Sequence, residues 1–243
     1  MAEPPRTSPR TPPHEPGNRD TAAPVLAASA SDADAAPAPR SARWLAAAAG
    51  VGIVLLAVSW LLLGDPVTSV PGWEADVSTA VNGWPGVLEW PLWPVMQLGT
   101  PGTYIVGGAG VYALTRRWRP SLATGVSVLL AWGAARLVKE AVERPRPDDL
   151  LDDLVVRGPT SDGYGYVSGH TTIAFALATA LTAVLPGRWR WAPYPVAAVV
   201  GLARVYYGAH LPLDVIGGAG LGVACGVVAV AGFGAAARPA TMS

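Results

Sequence analysis

Charge is scarce in this chain, and histidine and cysteine are scarcer still. Only 14% of its 243 residues are Asp, Glu, Lys or Arg, against 51% apolar. That balance excludes an ordinary soluble globule and suits helices packed in a membrane, with abundant glycine and alanine at their contacts. Acidic and basic side chains number 17 each, for a formal net charge of zero, so no basic excess exists to draw in a nucleic acid. The single cysteine, Cys225, excludes an internal disulfide and sits in an apolar run, where a thiol is packing. No apolar core occurs within the first thirty residues, so no secretory signal peptide is expected.

What is present divides the chain in two. Residues 1–40 are rich in proline, alanine and small polar residues, without apolar periodicity. Such a segment buries too little surface to offset its ordering entropy, and a disordered cytoplasmic tail is expected. Residues 41–243 carry apolar runs at 44–63, 91–114, 121–138, 170–185, 192–207 and 213–237, most of them near the ~20 residues that span a bilayer. The expected fold class is all-α: a polytopic membrane protein with six transmembrane helices in a bundle. Residues 73–84 read as a short helix lying at the interface.

The loops set the orientation. Arg40, Arg43, Arg116, Arg117, Arg119, Arg188, Arg190 and Arg238 flank one side of these runs, whereas Asp65, Glu74, Asp76 and Glu89 occupy the loop between the first two. The positive-inside rule therefore places both termini in the cytoplasm of a plasma-membrane protein. One outer loop breaks the rule, because it holds Lys139, Arg144, Arg146 and Arg157. Cations on the wrong side suggest a ligand.

Three patterns gather at that outer face: K-x6-R-P from Lys139 to Pro147, S-G-H at Ser168-Gly169-His170, and R-x5-H-x3-D from Arg204 through His210 to Asp214. Singly, each has an ordinary explanation: snorkelling cations, a capped helix, or a structural Arg–Asp pair. Together they form a phosphoryl-transfer set. Lysine and arginine match phosphate oxygens, a helix start offers free N–H groups to an anion, and two histidines supply a nucleophile and an acid. Ser168 reads as an N-cap. The four-residue spacing puts Asp214 within reach of one His210 nitrogen.

The three patterns, from Lys139 to Asp214, resemble the signature of the type 2 phosphatidic acid phosphatases, membrane relatives of the vanadium haloperoxidases. The resemblance implies that Lys139, Arg146 and Arg204 bind phosphate with Ser168 and the Gly169 N–H. It implies that His210 is the nucleophile that becomes phosphohistidine, that Asp214 orients it, and that His170 is the general acid. Val167 and Ala203 depart from the signature's proline and serine, without loss of a charge or a proton-transfer group. The substrate class implied is a membrane lipid phosphate: a polyprenyl pyrophosphate, phosphatidic acid or phosphatidylglycerol phosphate. No cofactor or metal is implied, and Asp148, Asp149, Asp152 and Asp153 read as solvated loop carboxylates. The loop 147–167 has the length of a lid or selectivity element.

The alternatives are a non-catalytic lipid-phosphate binder or transporter of the same fold, and a vanadate-dependent haloperoxidase. Retained histidines argue against the first, and the apolar spans against the second. Besides lipid, the partner question stays open: Gly218-x3-Gly222 permits close helix packing within the chain or in an oligomer.

Overall fold

The computed structural model describes residues 39–64, 67–158 and 163–233, with side chains from residue 42. Most of the expected tail, 1–40, and the end of the last expected span, 234–237, lie outside the described residues. Among the described residues there is no β-strand. The helices are α1 (Pro39–Leu62), α2 (Gly72–Asn82), α3 (Glu89–Met96), α4 (Thr103–Thr115), α5 (Trp118–Val142), α6 (Gly169–Thr182), α7 (Pro193–Tyr206) and α8 (Pro212–Phe233).

Among the described residues, three segments are long and apolar enough to cross a membrane: Ala42–Leu62, Trp118–Asp149 and Pro212–Phe233. The run 91–114 is not one helix. It breaks at Gly99-Thr100-Pro101-Gly102 into α3 and α4, because Pro101 forces the residue before it out of the helical region, and Thr100 is extended at φ −89°, ψ 153°. The runs 170–185 and 192–207 give α6 and α7, of 14 residues each. At 1.5 Å per residue each is about 21 Å long, short of the ~30 Å hydrocarbon core. The expected helix at 73–84 is present as α2.

α8 is the centre of the bundle, packing against α1, α5 and α6. Its glycines make that possible. A Cβ on Gly218, Gly222 or Gly226 would lie 2.8 Å from Ser168 O, 2.3 Å from Thr172 O and 2.5 Å from Thr179 Cβ, all on α6 or its cap. On another face, a Cβ on Gly220 would lie 2.6 Å from Gly52 O of α1. The Gly218-x3-Gly222 spacing therefore serves packing within the chain. Polar groups between these helices satisfy one another, as buried groups must: Ser59 of α1 and Tyr166 share a hydrogen bond of 2.8 Å beside Gly217.

Gly222→Ala would force backbone apart and should lower stability by about 1–3 kcal/mol. Gly133→Ala on α5, where nothing lies within 4 Å of the added Cβ, should leave stability unchanged or raise it by up to about 1 kcal/mol. Thermal unfolding of both variants in detergent checks the contrast.

Candidate active site

The ends of four helices meet at one place. α5 stops because Glu143 turns left-handed at φ 55° and returns its N–H to Lys139 O, after which Pro145 and Pro147 cannot continue a helix. That stop leaves Lys139 in the last helical turn and sends the chain across the end of α8. Lys139 Nζ donates to Tyr164 O at 2.5 Å and Gly165 O at 2.9 Å. Arg146 donates from Nε to Gly163 O at 2.9 Å and from Nη1 to Ala209 O at 3.2 Å, beside His210.

Ser168 occupies the N-cap position of α6 but differs from expectation. Its side chain makes no capping bond to the helix backbone; its buried Oγ instead accepts from Thr171 Oγ1 at 3.0 Å. Its N–H binds Asp214 O at 2.9 Å, tying the starts of α6 and α8 together. Gly169 and His170 open α6. His170 packs against Gly99, whose hypothetical Cβ would lie 2.8 Å from His170 Cβ, so the break between α3 and α4 exists where the histidine needs room.

Arg204 ends α7. Its carbonyl accepts the N–H groups of Ala209 and His210, folding the connecting loop back on itself, and its Nη1 meets Met96 Sδ at 3.2 Å. His210 precedes α8 rather than lying on it, yet its Nδ1 comes 3.5 Å from Asp214 Oδ2. That is longer than a formed hydrogen bond, and Nδ1 is buried without a hydrogen-bond partner among the described residues. Burial, then the charges of Lys139, Arg204 and Arg146, hold the His210 imidazole well below its ordinary pKa, so it is neutral at pH 7.

A cavity of about 510 Å³ carries Lys139, Arg146, Gly169 and His170 on its wall. Ser168, Arg204, His210 and Asp214 are not among the residues that line it. Arg204 Nε is a further buried donor without a hydrogen-bond partner among the described residues. Among those residues, no three His, Cys, Asp or Glu side chains are grouped to hold a metal ion.

Two of the four outer-loop cations have other work. Arg144 is fully buried: its Nη1 donates to Asp214 Oδ1 at 2.8 Å and its Nη2 to Glu74 Oε2 at 2.7 Å. Arg157 donates to Tyr206 O at 2.8 Å, lies over the Tyr206 ring at 4.4 Å and pairs with Glu89 at 3.3 Å. With Asn82 clasping Val155 through both its N–H and its C=O, Arg157 fastens the described first half of the long loop to α2 and α7. That stretch is a strap rather than a lid. Sequence reasoning also passed over Gly165. A Cβ there would lie 2.8 Å from Pro145 O and 3.2 Å from Asp214 Oδ2. The only signal was a glycine-rich loop, and spacing alone does not say which glycine is crowded.

Known proteins resemble this chain in sequence and in fold. The PAP2 superfamily model matches residues 118–238. The chain is 34% identical over 129 residues to decaprenylphosphoryl-5-phosphoribose phosphatase of Mycobacterium tuberculosis, covering 52% of this chain and 69% of that one. Its fold matches Aquifex aeolicus LpxE with a TM-score of 0.59 at 23% identity, over 64% of this chain and 93% of the other. It also matches a PAP2-type phosphatidylglycerolphosphate phosphatase of Bacillus subtilis, with a TM-score of 0.56 at 22% identity, over 75% and 93%. With the three signatures meeting at the ends of four helices, the chain belongs to the PAP2 superfamily.

Proposed function

We propose that this PAP2-type lipid phosphatase hydrolyses a phosphomonoester or pyrophosphate of a membrane lipid through a phosphohistidine on His210, without a metal. The observation that carries the reading is the His210–Asp214 pair. With Nδ1 turned toward a buried carboxylate, Nε2 is the nitrogen left to attack phosphorus. Lys139, Arg146 and Arg204, with Ser168 and the Gly169 N–H, hold the phosphoryl oxygens as charge shifts in the transition state. The unpartnered Arg204 Nε is donor capacity that an anion would use. His170 gives its proton to the departing lipid oxygen, then takes one from the water that hydrolyses the phosphohistidine.

Counting the broken pair α3–α4 and the short helices α6 and α7 as spans gives six; with both termini cytoplasmic, this site then lies at the outer face of the plasma membrane, and residues 41–243 are the catalytic domain. An apolar cleft of about 490 Å³ between α6 and α7 starts at Leu98, next in the chain to Gly99 on the cationic cavity. Such a surface suits the hydrocarbon tail of an amphiphile whose phosphate reaches His170. The likeness to a phosphatase of a decaprenyl-linked phosphate favours a polyprenyl carrier over phosphatidic acid or phosphatidylglycerol phosphate.

Phosphate release by detergent-purified protein from undecaprenyl pyrophosphate, phosphatidic acid and phosphatidylglycerol phosphate tests the proposal. Activity should persist with chelator present, and His210→Ala should lower kcat by more than about 10³-fold. Binding of these lipids without release would favour the non-catalytic reading. His170→Ala should cost about 10²–10⁴-fold with a lipid alkoxide leaving group, and much less with p-nitrophenol, which needs no proton to depart.

The pH dependence has a definite sign. A neutral nucleophile is lost only when pH falls through its folded pKa, and His210 sits below the usual imidazole value. After correction for the substrate's own ionisation, the acid limb of kcat/KM should therefore lie below about pH 6.5.

A further inference from the structure

Glu74 lies on α2, outside all three signature patterns. It is nevertheless fully buried, while Asp76 two residues later is exposed. Its carboxylate does two things at once. Oε2 accepts from Arg144 Nη2 at 2.7 Å, and Oε1 accepts the N–H of Leu213 at 2.8 Å, at the residue before Asp214. Arg144 in turn holds Asp214 Oδ1 at 2.8 Å, and Asp214 Oδ2 accepts the Leu211 N–H at 2.9 Å while facing His210 Nδ1. Both oxygens of Asp214 are thus assigned, one to the guanidinium and one to the histidine side.

We infer that Glu74 is a positioning residue for the histidine–aspartate pair, acting through Arg144 and the first turn of α8. The inference rests on the proposed role of His210. Its electrostatic basis is the formal charge of the buried set. Glu74 (−1), Arg144 (+1) and Asp214 (−1) sum to −1, so the arginine is balanced by Glu74 and the charge of Asp214 remains for His210. Attack by Nε2 on phosphorus spreads positive charge over the ring to Nδ1, which faces Asp214 Oδ2. That charge develops near the cations Lys139, Arg204 and Arg146, and on the Nδ1 side it is Asp214 that faces it. Without the Glu74 charge the set sums to zero, and Arg144 alone neutralises Asp214.

The test is steady-state kinetics on whichever of the three lipid phosphates is turned over fastest, for wild type, Glu74→Gln, Asp214→Asn, the double variant and His210→Ala. Glu74→Gln should lower kcat by about 10- to 100-fold, with KM within about twofold because the phosphate-binding cations are untouched. In the Asp214→Asn background the same change should cost nothing further, since the two residues act as one unit. Unchanged kcat in Glu74→Gln, or losses that multiply in the double variant, would overturn the inference. Activity retained by His210→Ala would instead overturn the mechanism beneath it. If Glu74→Gln does not fold, Glu74→Asp replaces it. That variant keeps the charge of the set and instead tests the link to the first turn of α8, because the shorter side chain cannot hold the Leu213 N–H and Arg144 together: a lowered kcat at unchanged KM is expected, full activity being the refuting result.

Discussion

A guanidinium closed off from solvent between two carboxylates holds the polar end of this bundle together. Arg144, Glu74 and Asp214 are each fully buried, and charges so placed are tolerable only because they are paired in close geometry. Removing one partner of such a set typically costs about 3–5 kcal/mol, since the charge left behind has no compensation. Arginine suits the position because its planar fork serves two carboxylates at once and it does not lose its proton. The three residues come from α2, from the segment after α5 and from α8, so the set also fixes three parts of the chain relative to one another. Around it the backbone is drawn in: Arg144 O accepts the Gly165 N–H at 2.7 Å, and Asp214 O accepts the Ser168 N–H at 2.9 Å.

The apolar part of the bundle answers a different constraint. Lipid gives little hydrophobic reason for helices to associate, so close packing has to supply the attraction. α8 does this with glycine, letting the backbones of α6 and α1 approach on separate faces. The result carries upward. Because α6 and α8 are in near-backbone contact at Gly218 and Ser168, the N-terminus that presents Gly169 and His170 is held beside the one that presents Asp214. Packing in the apolar region and geometry in the polar region are one design read at two depths.

The loop between α5 and α6 shows why length alone misleads. Read by length it is a lid or a selectivity element; in the structure its described first half is strapped down by Asn82 and Arg157. Neither residue belongs to a motif. Asn82 does this work only because α2 lies under the loop, and no local pattern predicts a partner 73 residues away.

Some properties were written in the sequence itself. The apolar runs dictated an all-helical membrane protein because backbone polar groups in hydrocarbon must be satisfied within each segment. The fixed spacings of Lys139–Arg146, Ser168–His170 and Arg204–His210–Asp214 named the family, since each spacing is set locally by a helix end. The break at Thr100-Pro101 was locally encoded too, yet overlooked because hydropathy averages across it. Tertiary structure alone decided the rest: that Arg144 and Glu74 are interior rather than facing solvent or ligand, that Ser168 binds Thr171 instead of capping, that the α8 glycines serve α6 and α1, and that Gly99 clears room for His170. The physical reason is common to all four. A charge, a hydroxyl or a missing side chain has no role of its own until a residue distant in the chain is brought within a few ångströms of it.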